Sequence, residues 1–195
     1  VKLEADDVDA VLDVHLKAAF WTLIPAFAHM REAGYGRIVL TASSSGLFGT
    51  FGQSNYGAAK MGLVGLMRVL SLEGARSNIL VNTVAPSART RMTEDLLGPL
   101  ADKLDPAHVA PLVAWLCSQA CTRGNQIFSA GGGRYARVFL GLTPGWTKPD
   151  AGIATPEEIA TNMDAITAKD GFIIPESGVD ELNVMLAALG QRAED

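Results

Sequence analysis

The sequence is poor in the residues that staple a chain, bind metal or grip nucleic acid. Its 195 residues include only two cysteines, Cys117 and Cys121, and three histidines. Thiols four apart in one apolar helical stretch share a face without pairing, and a zinc site needs more ligands than these. Buried reduced thiols are expected, as in a reducing compartment. Basic residues number 16 against 21 acidic ones, a net charge of −5. That balance argues against a nucleic-acid partner, which requires a basic face. No uninterrupted apolar run reaches the ~20 residues of a bilayer span, so no membrane partner is expected. Repeats and low-complexity tracts are absent too. What remains is a chain that is 48% hydrophobic and 7% aromatic, long enough for a real core.

Apolar periodicity predicts a helix from Asp6-Asp7 to about Glu32, kinked or broken at Pro25 and stopped by Gly34 and Gly36. Arg37 to Ala42 reads as a buried parallel strand, and Ser43 to Gly52 as a Gly/Ser loop at its C-terminal end. A second long helix runs from about Ser54 to Ala75, with one side very small at Gly57, Ala58, Ala59, Gly62 and Gly65. Strands are expected at 78–84, 126–130 and 134–142, and a helix at 106–118. A Pro/Gly-rich linker follows, then Thr155-Pro156-Glu157-Glu158 opens a helix to about Ala168. A last short helix spans 180–189. The fold class is α/β, with a buried parallel sheet and a short C-terminal extension. The expected division is 1–133, the main α/β part, and 134–195, a last strand, linker and helical extension.

The chemistry sits in Ser54-Asn55-Tyr56-Gly57-Ala58-Ala59-Lys60. A Tyr and a Lys four apart on a helix share a face. A free phenol titrates near ~10 and is a poor base at neutral pH, but an unscreened cation beside it favours the phenolate. Ser43 ends the preceding strand, and Val81-Asn82-Thr83-Val84-Ala85-Pro86 follows downstream. In this order and spacing, the three segments resemble the short-chain dehydrogenase/reductase family. A finer likeness is to its (3R)-hydroxyacyl-CoA dehydrogenases of the multifunctional-enzyme type. It rests on Val14-His15-Leu16, Tyr35-Gly36-Arg37-Ile38-Val39, Phe51-Gly52-Gln53-Ser54-Asn55-Tyr56, Arg91-Met92-Thr93 and the segment from Val109 to Cys117. It is dense from Asp9 to about Gly133 and thin beyond.

The resemblance implies a Rossmann-like fold, with residues 1–133 the catalytic, later part of its doubly wound parallel sheet, and hydride exchange between NAD and a secondary alcohol, with a (3R)-3-hydroxyacyl-CoA as substrate. A hydroxysteroid dehydrogenase or a 3-oxoacyl reductase is the alternative within the class, and a non-catalytic dimerising fragment the alternative outside it. Tyr56 is the expected acid/base, and Lys60 its partner and a contact for the nicotinamide ribose. Ser43 is expected to hold the substrate oxygen, with Ser45 second. His15 stands where most of the family places a relay Asn and is expected to anchor a water or relay a proton, since an imidazole both donates and accepts; a packed histidine bonded to backbone is the alternative. Pro86 and Ser87 are expected beside the nicotinamide, Ser87 replacing a usual Gly. Arg89 and Arg91 are weaker candidates for a phosphate path, and no metal is expected. His29 and His108 receive no role.

The family opens with a strand, a Gly-rich turn and a helix that hold the cofactor pyrophosphate. No such turn stands near Val1. The expectation is an upstream half that is cut, disordered or supplied by another chain. Ala130-Gly131-Gly132-Gly133 is not a substitute, because a strand rather than a helix follows it. The resemblance also implies a homodimer formed by the two long helices. It places the protein in the cytoplasm of a bacterium or the peroxisome of a eukaryote.

Overall fold

A computed structural model describes residues 3–90, 98–150 and 152–191. Helix α1 (Ala5–Leu12) begins with a capping box between Glu4 and Asp7, and its first turn is acidic. A π-helical turn, Asp13–Lys17, leads into α2 (Ala18–Ala33), which ends at a left-handed Gly34 with φ of +63°. The expected break at Pro25 is corrected: α2 runs through it, and the irregularity lies at the π-turn. Pro25 is on the exposed side, where water can satisfy the carbonyl that loses its partner.

The continuous helical stretch Ala5–Ala33 is long and apolar enough, by length and composition, to cross a membrane. No apolar run suggested this, because charged residues such as Asp13 and Lys17 interrupt it. Here Leu16, Ala19, Leu23, Phe27 and Met30 give it a face on the core of an α/β layer.

Strands β1 (Gly36–Thr41), β2 (Ile79–Pro86) and β3 (Gln126–Gly131) are parallel, and β4 (Arg134–Val138) lies antiparallel on β3. The order is β1-β2-β3-β4. Both faces are covered, as parallel strands require. Ile38, Leu63, Met67, Ile79, Val81 and Ile127 pack with α2 and with α4 (Ser54–Gly74). Val84, Leu116, Cys121 and Ala130 form a second cluster that includes α5 (Ala110–Leu116). Fully buried Asn82 fixes the start of β3. Its amide donates to the Arg123 carbonyl at 2.8 Å and its oxygen accepts the Gln126 N–H at 3.2 Å.

Several boundaries differ from expectation for local reasons. Ser43–Gly52 is not all loop: Ser44–Phe48 is a short helix, α3, capped by Ser43. The helix expected from Pro106 starts as a 3-10 turn, Pro106–His108, before α5. Cys117 caps α5 and is exposed, whereas Cys121 is buried beyond the helix, so the two thiols do not share one buried helical face. β4 ends at Val138, and Leu142 makes only an isolated bridge to Ile173.

By contact the chain divides into two compact units, Val1–Val138 and Phe139–Asp195. Within the second, Thr155 and Glu158 form a capping box, and Lys148 is held by Glu158 at 2.5 Å and Asp150 at 3.3 Å. The single helix expected to Ala168 is two, Pro156–Thr161 and Met163–Thr167, divided where Asn162 turns its side-chain amide onto the Glu158 carbonyl. The last helix spans Gly178–Gln191.

Candidate active site

The site candidates gather where β1 and β2 end, the edge at which ligands bind in doubly wound sheets. Lys60 lies on the buried face of α4 and is only 8% exposed. Its ammonium donates to the Thr41 carbonyl, the last of β1, at 2.9 Å. Burial pushes the Lys60 pKa below the ordinary lysine value. A solvated surface lysine is thereby ruled out. The same ammonium lies 5.6 Å from the centroid of the Tyr56 ring, within cation–π range.

His15 meets Tyr56 from the other long helix. The two rings stand edge to face, 5.0 Å between centroids and 87° between planes. The π-turn carries this imidazole. Such a turn inserts a residue into the helical register, a device frequent at functional sites. Two contacts steady the meeting of the helices. Asn55 Nδ2 donates to the Asp7 carbonyl at 3.2 Å, and Leu16 lies against Gly62 where any β-carbon would crowd it. Burial, then the charge of Lys60, holds the His15 pKa below the ordinary imidazole value. The ring is therefore neutral at neutral pH.

Ser43 is half-buried at the N-cap of α3, where its Oγ accepts the Ser45 N–H at 3.2 Å. A hydroxyl that accepts there keeps its own proton for another partner. Ser45 is engaged by the Thr50 hydroxyl at 3.0 Å. The serine turn rests directly on α4: a β-carbon at Gly46 would meet Met61 N at 2.8 Å and Lys60 Cβ at 2.9 Å. One at Gly57 would meet the Ser45 carbonyl at 3.1 Å. The serines thus border the helical turn that carries Tyr56 and Lys60.

Pro86 is the last residue of β2, and the Ser87 N–H donates to the Ala130 carbonyl at 2.8 Å. That amide is therefore already engaged within the sheet. Arg89 pairs with Asp102 at 3.0 Å, which weakens its candidacy for a phosphate. Arg91 lies outside the described residues. His29 faces Glu32 on the surface, and the His108 carbonyl accepts the Tyr135 hydroxyl at 2.8 Å. Gly132 and Gly133, with φ of +56° and +78°, make the β3–β4 turn. The sequence did not disclose the Thr41 carbonyl as the group that orients Lys60. The signal lay in a lysine among small apolar residues, which must find a backbone acceptor if buried.

A model of the short chain dehydrogenase family matches residues 1–98. The chain belongs to that family. A short-chain type dehydrogenase/reductase of Mycobacterium tuberculosis is 51% identical over 140 residues, 71% of this chain and 49% of that protein. The peroxisomal multifunctional enzyme A of Dictyostelium discoideum is 38% identical over 195 residues, 100% of this chain and 44% of that protein. In three dimensions the chain resembles full-length peroxisomal multifunctional enzyme type 2 from Drosophila melanogaster. That match has a TM-score of 0.87 and 31% identity, covering 97% of this chain and 35% of that one. This short-chain dehydrogenase chain spans about half the length of the curated relatives it matches.

Proposed function

We propose that this chain supplies the proton-transfer machinery of an NAD-dependent dehydrogenase acting on a (3R)-3-hydroxyacyl-CoA. The carrying observation is the buried Lys60 ammonium, oriented by Thr41 O and set beside the Tyr56 ring. Tyr56 takes the substrate hydroxyl proton in oxidation and returns it in reduction. Lys60 stabilises the negative charge that develops on the Tyr56 oxygen. Ser43 donates its hydroxyl proton to the substrate oxygen and holds it in register. His15, neutral and able both to donate and to accept, passes the proton onward from this cluster.

The donor set fits a nicotinamide nucleotide. Thr41 takes one of the three ammonium donors of Lys60, leaving donors for the hydroxyls of a ribose. When bound, the nicotinamide supplies the hydride acceptor. Pro86 and Ser87 border its position. The acyl-CoA class follows the resemblance in sequence motifs and is supported by relatives named as an acetoacetyl-CoA reductase and a hydroxyacyl-CoA dehydrogenase. The corresponding compartment is the peroxisome in a eukaryote and the cytoplasm in a bacterium.

The test is turnover of the complete protein on hydroxyacyl-CoAs and hydroxysteroids with NAD and NADP, followed by nicotinamide absorbance. Oxidation of (3R)-3-hydroxyacyl-CoA with NAD supports the reading. Turnover of steroids alone, or of nothing, contradicts it.

His15 gives a separate prediction. H15A should lower turnover by about tenfold, and H15N should restore most of it, since an amide also relays protons through water. The wild type should lose activity on acidification, with a midpoint below the ordinary imidazole value, because protonated His15 no longer accepts. H15N should lack that acid limb. Equal acid limbs in both proteins would remove His15 from the relay.

Dimerisation is the remaining part of this reading. Phe20, Leu23, Ile24, Leu66, Val69 and Leu70 line an apolar groove between α2 and α4. Ile24 is 68% and Val69 53% exposed. Exposed apolar surface of this kind supports an interface, here with a second copy. I24E should shift the protein from dimer to monomer in sedimentation, and an unchanged mass would contradict the assignment.

A further inference from the structure

Gly131 closes β3, yet its backbone does not demand glycine. Gly132 and Gly133 have positive φ and need their freedom for the turn, whereas Gly131 is not among the residues with positive φ. What position 131 needs is room. A β-carbon there would lie 2.4 Å from the Ser87 carbonyl oxygen, 2.8 Å from Ser87 Cβ and 3.2 Å from Ser87 C. The nearest of these atoms is main chain, so no side-chain rotation relieves the contact.

Ser87 is also tethered. Its N–H is bonded to the Ala130 carbonyl at 2.8 Å, and two residues on the Arg89 N–H is bonded to the Leu104 carbonyl at 2.7 Å. The segment leaving β2 is pinned by its hydrogen bonds and passes close over a residue with no side chain. Real β-carbons keep at least 3.0 Å, so a methyl at 131 forces the Ser87 carbonyl to move out from 2.4 Å.

We infer that Gly131 is a positioning residue whose missing side chain sets the path of Pro86–Arg89. In the proposed function, on which this inference rests, that segment borders the nicotinamide. Ser87 sharpens the requirement: its β-carbon is one of the atoms that a side chain at 131 would strike. The turn glycines 132 and 133 serve the hairpin, while Gly131 serves the neighbouring strand's exit.

The test compares full-length wild type, G131A, G131A/S87G and G132A. Thermal melting reports folding, hydrogen exchange reports the Ser87 amide without any ligand, and fluorescence titration with NADH reports the nicotinamide site. G131A should exchange the Ser87 amide about tenfold faster. Its kcat/KM should fall by about a hundredfold, the cost of an ångström-scale misplacement, with weaker NADH binding. S87G should restore part of both, because it removes the β-carbon and frees the backbone. G132A should melt earlier, since position 132 has positive φ, but should keep the Ser87 amide protected.

Unchanged Ser87 protection in a folded G131A overturns the inference. If G131A does not fold, recovery of folded protein in G131A/S87G supports it and failure of both variants overturns it. A wild type that binds no NADH counts against the proposed function alone, and the exchange result then decides the role of Gly131.

Discussion

Y56F is expected to reduce kcat for alcohol oxidation by about 10²- to 10⁴-fold while leaving nicotinamide affinity within about threefold. The phenyl ring retains the edge contact with His15 and the approach of the Lys60 ammonium, both of which involve the ring. Only the oxygen is lost. The variant should therefore fold and melt like wild type, so the effect reads chemistry rather than architecture. Each tenfold corresponds to about 1.4 kcal/mol of transition-state stabilisation. Turnover within a few-fold of wild type would show that another group moves the proton.

K60M is the second large effect. Methionine keeps much of the stem that packs in α4 but removes the ammonium. Turnover should fall by about 10²- to 10³-fold, with weaker nicotinamide binding as well, because the same group is assigned to the ribose. The pH dependence has a definite sign. Burial lowers the Lys60 pKa, so the ammonium loses its proton below the pH at which an ordinary lysine does. Activity should fall on that alkaline limb. Stability should move oppositely in the same window, up to the ordinary lysine value, because the unfolded chain binds the proton that the folded chain has released. K60M should lack this rise in stability with pH.

Much of the arrangement was legible because the local signals agreed with one another. Strands β1 to β3 are short and rich in apolar residues, β2 buried almost throughout and β1 and β3 with buried residues among half-buried ones, and the Tyr56–Lys60 spacing survives in a helix that starts where expected, at Ser54. The dinucleotide-like glycine run proved to be a hairpin turn, as the strand after it implied. What escaped the sequence depended on register and water. Pro25 has an exposed position that tolerates it, whereas nothing in Asp13-Val14-His15-Leu16-Lys17 announces a π-turn. Yet that turn carries His15 against Tyr56. The short helix after Ser43 was missed because serine and glycine also spell a loop, and only the cap bond to Ser45 decides between them. The environment of Cys117 was misjudged because α5 stops there, leaving the thiol exposed.

The central claim is that Lys60 acts on the reaction through Tyr56 rather than beside it. The most direct test is kcat of Y56F, K60M and Y56F/K60M at saturating nicotinamide, where differences in cofactor binding drop out. Groups that work as one unit are non-additive. The double variant is predicted to be no slower than Y56F by more than about threefold. A double variant whose loss is the product of the two single losses would contradict the account.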